Sequence, residues 1–312
     1  MKEIWNAALG SSAGYAVDIS PNSLCAAILK HSDSCELKTL RIETGEVKWS
    51  KLIRENEPCT PEIIFTPDGT NLLFFDAARP ELLVFDVETG EVKSSFKLTA
   101  PLFHPRFDLS SPGEFVFAFK DLRTFEVVKI DLASGDFKSI FNLRNHPEFK
   151  LKRPYVMSRD FLVHNNEVFV AVEGWVMAYD VDQNRFRWKL QLSETQLLLL
   201  SGPKDGAIIA TRGPFPNILK IDSDGVVVGR GVSAGEENYL GSFEEIAFTR
   251  SRGVIGFPEF LSAYDWKNSK LIYREPAGKS HSTPPACVMS KDGKFILSID
   301  VLGNAACRKV SR

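Results

Sequence analysis

Repetition constrains this chain more than any other feature. The stretch Leu82 to Leu98, LLVFDVETGEVKSSFKL, reads as an apolar strand closing on Phe85-Asp86, a tight turn at Glu88-Thr89-Gly90-Glu91, and a second strand. The unit recurs at Leu37 to Leu52, Val127 to Leu143, Val176 to Leu192, Leu219 to Gly229 and Leu261 to Glu275. Gly45, Gly90 and Gly135 stand 45 residues apart, and the later turns at Gln183-Asn184, Asp224-Gly225 and Asn268-Ser269 keep nearly that step. A fixed period means one small unit stacked on copies of itself, because a single copy cannot bury its apolar face alone.

A second repeated element supplies the rest of each unit. Ile63 to Phe75 is strand, turn, strand, with Thr66-Pro67-Asp68-Gly69 as the turn: Pro presets φ and Gly accepts a positive one. Parallel copies run from Val17 to Leu29, Phe107 to Phe119, Phe161 to Val172, Leu197 to Ala210, Ile246 to Phe257 and Cys287 to Ile299. Together the two elements make four short strands per period, the blade of a β-propeller. The second set has seven members and the first has six. The last unit ends on Asn304 to Val310, enough for a third strand, and the step from Ser269 through the C-terminus to Lys2 is again 45 residues. The expected fold is therefore all-β, a seven-bladed propeller of four-stranded antiparallel blades. Its last blade is closed by an N-terminal strand around Lys2-Glu3-Ile4-Trp5, which covers an otherwise open edge. The whole of 1–312 is expected to form one domain.

The turns ETGEVKW and ETGEVK resemble the tryptophan-docking repeat of quinoprotein-like propellers, and TPDG and SKDG resemble the equivalent turn of WD40 and YVTN propellers. Trp49 and Trp188, with Tyr273 in the corresponding position, are expected to pack between blades. Trp5 takes that part in the last blade, although it follows Glu3 by one residue fewer than Trp49 follows Glu46. The resemblance implies fold rather than function, since propellers serve enzymes, scaffolds and adaptors alike. The adjacent cysteine pair used by some quinone-binding propellers is absent, so no cofactor is expected.

A formal charge of −2 gives no general attraction to nucleic acid or anionic membrane. No run of about 18 apolar residues and no signal-peptide core occurs, so a cytoplasmic protein without a membrane anchor is expected. The five cysteines, Cys25, Cys35, Cys59, Cys287 and Cys307, show no CxxC spacing. They read as isolated reduced thiols, with no metal site.

Numbering the strands a to d from the axis outward puts the tight a–b and c–d turns on one face and the b–c and d–a loops on the other. Loops on a rigid scaffold are where binding residues concentrate. His31, His104, His146 and His281 fall on the loop face, and His164 in an a–b turn. Arg79, Arg106, Lys120, Arg123, Arg144, Lys150, Lys152, Arg153, Arg212 and Lys279 give that face a basic rim. The densest part is Arg144 to Tyr155, where the step from Gly135 to Asn184 stretches to 49 residues. The segments Arg212 to Asn217 and Gly231 to Gly241 are the other long loops, with Phe215 and Tyr239 as contact residues.

No compact catalytic constellation accompanies the repeats. The leading expectation is a non-enzymatic protein-binding scaffold using the loop face, its partner another protein, with a small phosphorylated or acidic ligand as a further candidate. The binding residues are Arg79, Arg123, Arg144, His146, Lys150, Lys152, Arg153, Arg212, Phe215 and Tyr239. The alternative is a sugar-lactone hydrolase similar to the seven-bladed lactonases, with His104, His281 and Arg106 near the axis assisting ring opening. Single-stranded nucleic-acid binding through Arg144 to Tyr155 ranks last, because the acidic balance opposes tracking of a phosphate backbone.

Overall fold

The computed structural model describes residues 1–10, 14–31, 34–57, 61–108, 113–121, 125–149, 159–192, 198–204, 207–212, 217–232, 237–243, 246–251, 258–265, 270–279, 286–299 and 303–310. These residues form seven four-stranded antiparallel sheets. The innermost strands are Gly14–Ile19, Pro61–Phe65, Phe103–Phe107, Arg159–His164, Leu198–Lys204, Glu237–Phe243 and Ala286–Met289, and each neighbours the next in a circuit that returns from the last to the first. The outermost are Val47–Arg54, Val92–Lys97, Phe137–Asn142, Arg185–Gln191, Val227–Val232, Lys270–Lys279 and, in the last blade, Lys2–Ala8. The N-terminal strand thus pairs antiparallel with Asn304–Lys309, as the repeat arithmetic requires. Leu9 N donates to Gly303 O at 2.7 Å, and the Tyr15 hydroxyl donates to Gly10 O, which ties the chain down as it passes from the last blade into the first.

Unbroken apolar runs along the middle strands explain where the core sits. Leu72 to Phe75 and Leu82 to Phe85 are buried on both faces, because each central strand lies between two neighbouring blades. The outer strands alternate with solvent and carry Lys and Ser on the free side. Buried side chains from adjacent sheets interleave: Phe119 of blade three meets Phe161 of blade four with ring centroids 4.6 Å apart.

Three a–b turns share one device. In Ser20, Thr66 and Ser290 the hydroxyl accepts the N–H of the residue five further on, at 2.9, 3.0 and 2.9 Å, and donates to Asn22, Asp68 or Asp292. The Ser/Thr-x-Asx spacing is therefore a covalent record of one turn geometry, with a local side-chain bond standing in for a ladder bond.

The outer rim is joined by a ring laid on a glycine. Trp49 of blade one donates Nε1–H to Val87 O at 2.8 Å, and a Cβ on Gly90 would lie 2.7 Å from its indole. Trp5 makes the same contact with Ile42 O and Gly45, and Trp188 with Ser223 O and Gly225. Gly90 also has φ +72°, a conformation that other residues adopt at a cost. In each case the tryptophan follows a bulged residue: Lys48, Ile4 and Arg187 are the extra residues of their strands. The one-residue discrepancy at Trp5 disappears when the count starts from the bulge, so the counterpart of Glu46 is Lys2 and not Glu3.

Two expectations are corrected. The segment Gly231 to Gly241 is not a long loop: Val227–Val232 and Glu237–Phe243 are strands, and Tyr239 lies in the innermost strand of blade six. Ile246–Ser251 is consequently a second strand rather than the start of an a–b pair. The glutamates and glycines there imitate a loop, whereas the ladder from the neighbouring strand makes it a strand. The reading of all five thiols as free fails at Cys35, which is buried and disulfide-bonded. Cys25, Cys287 and Cys307 are free, and Cys59 lies outside the described residues. Spacing did not reveal the bond, because a contact made between strands leaves no signal in the order of residues.

Replacing Trp49 by Ala is expected to destabilise the fold by about 3 kcal/mol, and by Phe about 1 kcal/mol through loss of the N–H bond, as read from denaturant midpoints. Equal midpoints for wild type and Trp49→Ala would refute the docking role. Reduction of the Cys35 bond is expected to lower stability by about 2–4 kcal/mol, seen as a lower melting temperature with reductant and in Cys35→Ser. A melting temperature indifferent to reductant would contradict it.

Candidate functional site

The inner ring of strands is stitched by carboxylates. Asp18 accepts the Phe65 N–H of the next blade at 2.8 Å and its neighbour Ile19 N–H at 2.9 Å. At the corresponding repeat position Asp108 accepts the N–H groups of Asn165 and Asn166 at 3.2 and 3.3 Å. Enclosure by protein pushes the Asp18 carboxyl up to about 6, partly offset by those two N–H donors and by the charges of Lys291 and Arg106. Lys291 is itself held below the usual lysine range by burial, with Asp18 opposing. Groups from blades one, three and seven are thus electrically coupled around the ring. Sequence reasoning passed over Asp18, Asp108 and Lys291, since one acid closing an apolar strand is an ordinary strand end.

Toward the loop face, His104 and Glu62 come together. The His104 main-chain N–H donates to Glu62 Oε1 at 2.8 Å, and its Nδ1 stands 3.7 Å from Oε2. The imidazole meets Phe119 edge-on at 6.1 Å. His104 belongs to the innermost strand Phe103–Phe107 rather than to a loop, and it has φ +53° next to an irregularity in that strand's pairing. A left-handed histidine is uncommon, and the carboxylate bond to its own N–H is what holds it there. Arg106 follows in the same strand and donates to Pro105 O at 3.1 Å. A histidine beside a carboxylate can serve as a general base. His281, the third member of the expected lactonase set, lies outside the described residues. His31 ends the second strand of blade one, packed on Gly14, and burial lowers its basicity.

The basic rim divides. Arg79 pairs with Glu57 at 2.7 Å, both well exposed. Arg54, which composition did not single out, binds Glu81 and approaches Asp76 at 4.0 Å, bridging blades one and two on the loop face. Lys120 pairs with Glu126 at 3.3 Å. Arg212 ends the second strand of blade five, and Lys279 the outermost strand of blade six. Arg123, Lys150, Lys152, Arg153 and Phe215 lie outside the described residues.

The lengthened segment after Phe137–Asn142 has a structural part. Leu143 and Phe149 are buried, and His146 packs among Phe141, Tyr179 and Phe186 at 6.2, 5.5 and 4.6 Å. His146 Nδ1 accepts the Glu148 N–H at 3.2 Å, and burial lowers its affinity for a proton. Lys189 of blade four closes over the segment, donating to Glu148 O at 3.2 Å. Residues 143–149 therefore wedge the joint between blades three and four, while Arg144 remains exposed. Among the described residues no group of three or more His, Cys, Asp or Glu could hold a metal ion. Among them no helix is long and apolar enough to cross a membrane.

The chain has a WD40-like β-propeller fold. The β-propeller domain of Cps50 (Swd1) from Myceliophteria thermophila matches at TM-score 0.73 and 10% identity over 100% of both chains. A chain of the mitotic checkpoint complex matches at TM-score 0.71 and 12% identity, covering 100% of this chain and 92% of that one. No protein-family profile matches, and no curated protein matches by sequence. At such identities the likeness is one of fold.

The raised Asp18 yields a pH signature. Unfolded, the carboxyl ionises near 3.9; folded, it ionises at about 6. Between those values the folded chain holds the proton more tightly, so stability falls as pH rises through the window and the cost is complete above 6. The stability of Asp18→Asn relative to wild type should therefore shift in the variant's favour between pH 4 and pH 7, by on the order of 1–3 kcal/mol. A difference that is flat with pH would show that Asp18 is not raised.

Proposed function

We propose that the chain is a non-enzymatic protein-binding scaffold, with residues 1–312 acting as one domain and the loop face presented to another protein. The observation that carries this reading is the use made of the charged groups. Arg54, Lys48 and Arg187 join blades, Lys189 clamps the wedge, and Asp18 and Asp108 stitch the inner strands, so chemistry-bearing residues serve a rigid frame. A rigid frame with exposed cations such as Arg79 and Arg144 suits recognition of an acidic surface. The similarity in fold to a chain of an assembly, the mitotic checkpoint complex, agrees with this reading. On it, Arg79, Arg123, Arg144, Lys150, Lys152, Arg153, Arg212 and Phe215 form the interface. His146 supports it from behind, and Tyr239 acts from the inner strand. No cofactor is assigned. A disulfide at Cys35 is unusual in a reducing compartment and weighs against the expected cytoplasmic location.

A second reading is favoured by one observation, the His104–Glu62 pair in the strand that carries Arg106. There a carboxylated or phosphorylated sugar lactone would be held by Arg106 and hydrolysed with His104 as base.

The two readings separate in one pair of assays. Replacing Arg144, Lys150, Lys152 and Arg153 by Ala is expected to leave the melting temperature within a few degrees of wild type, because surface charges contribute little to stability. It should remove a reproducible set of partners from affinity capture with quantitative mass spectrometry, most clearly at low salt. Identical capture by both proteins would sink the basic-loop interface. Turnover of a lactone panel by wild type, lost in His104→Ala, would put the hydrolase first.

A further inference from the structure

Trp5, Trp49 and Trp188 mark one repeat position on the outer strands, taken by Tyr273 in blade six, by Ser94 and Ser139 in blades two and three, and by Gly229 in blade five. Two positions before it are charged in most blades, and blade five departs at both. Three residues before it stand Lys2, Glu46, Glu91, Asp136, Arg185 and Lys270 in the other six blades, but Val226 in blade five. The match is structural: Val226 O accepts the Asp222 N–H at 2.9 Å, as the same atoms of Glu46, Glu91 and Asp136 accept from Arg41, Asp86 and Asp131. One residue before it stand Lys48, Lys93, Lys138 and Arg187 in blades one to four, and Val228 in blade five. Three of those cations hold turn carboxylates, Lys48 with Glu88, Lys93 with Asp86 and Arg187 with Asp224. Val226 and Val228 are instead 56% and 55% exposed to solvent. Each of the other six outer strands also carries a lysine, whereas Val227–Val232, VVGRGV, has none. Lysine on an edge strand opposes pairing with another chain, and only this edge lacks it. As the last strand of its sheet, Val227–Val232 has one side of its backbone open to a further strand.

We propose that Val227–Val232 is a dimerisation edge, along which two copies of this chain pair antiparallel about a twofold axis at Val227. A twofold contact needs a self-complementary surface, and this register supplies one. It sets Val226 of each copy opposite Val228 of the other, so that four exposed valines cover one another. It also carries Arg230 of each copy to the turn that holds Asp224 of the other. The Asp224 side chain is 79% exposed, and among the described residues Arg187 takes only its Oδ1. An axis at Val228 would set Arg230 against Val226, and one at Gly229 would set it against Val228, so charge selects the register. The edge lies on the outer rim, apart from the loop-face interface proposed above, and pairing there leaves both loop faces open.

The test is sedimentation equilibrium of the full chain. A monomer–dimer equilibrium is expected with Kd of roughly 10–100 μM, weak because one strand pair buries less than a standard interface. Val228→Lys, which restores the cation found in blades one to four, should weaken it by about tenfold or more. Asp224→Arg and Arg230→Asp, each alone, set like charges together and should weaken it similarly. Mixed in equal amounts, those two variants restore both opposite pairs, so native mass spectrometry should show heterodimers well above either homodimer. Leu52→Lys, at an equally exposed residue on the rim of blade one, should change nothing. Melting curves confirm that each variant is folded, and Val228→Lys decides the matter if Asp224→Arg is not, since it alters only an exposed side chain. A wild type that stays monomeric at several hundred micromolar, a dimer indifferent to folded Val228→Lys, or folded charge variants that do not recover on mixing would each overturn the proposal.

Discussion

Everything in this molecule depends on closing the joints between blades. A four-stranded sheet with both faces apolar cannot exist alone in water, so each blade must lie against two others. On the rim the seal is an aromatic ring over a glycine with the indole N–H on a turn carbonyl. The glycine is required twice, by its positive φ and because a Cβ would occupy the ring's place. At the inner ring the seal is polar, Asp18 and Asp108 accepting main-chain N–H groups of the following blade.

These seals explain why charge on this chain is a poor guide to function. Lys48 lies 2.6 Å from Glu88 across the first joint, and Arg187 bonds Glu167 within its own blade and Asp224 across the next. Such pairs are partly exposed and contribute little singly; their value lies in register, since each accompanies a docked tryptophan one residue away. The carboxyl of Asp18 is different. It is held against its preference, because joining two blades at the inner ring encloses it in protein.

The departures from regularity are as informative as the repeats. Where the ring residue becomes serine, at Ser94 and Ser139, one joint is filled by Phe96 on Gly135 and the other is wedged by the chain's own aromatic segment 143–149. Where a histidine enters an inner strand with positive φ, it does so on a glutamate of the neighbouring blade. Both features lie between repeats, the one place a repeating architecture leaves free to vary.

Period, strand alternation and turn chemistry were local, and so were legible in the order of residues alone. They determined a propeller of seven four-stranded blades, the N-terminal strand in the last of them, and tryptophans between blades, because a side-chain period of two and a Gly turn are set within a few residues of themselves. Tertiary structure decided what depends on approach between distant segments. The bond at Cys35, the partnership of Glu62 with His104, the raised Asp18 and the burial of His146 all arise between strands or blades and leave no spacing signal. Even the strand holding Tyr239 followed that rule: its glutamates and glycines read as a loop, and only the ladder from the neighbouring strand makes it part of the inner ring.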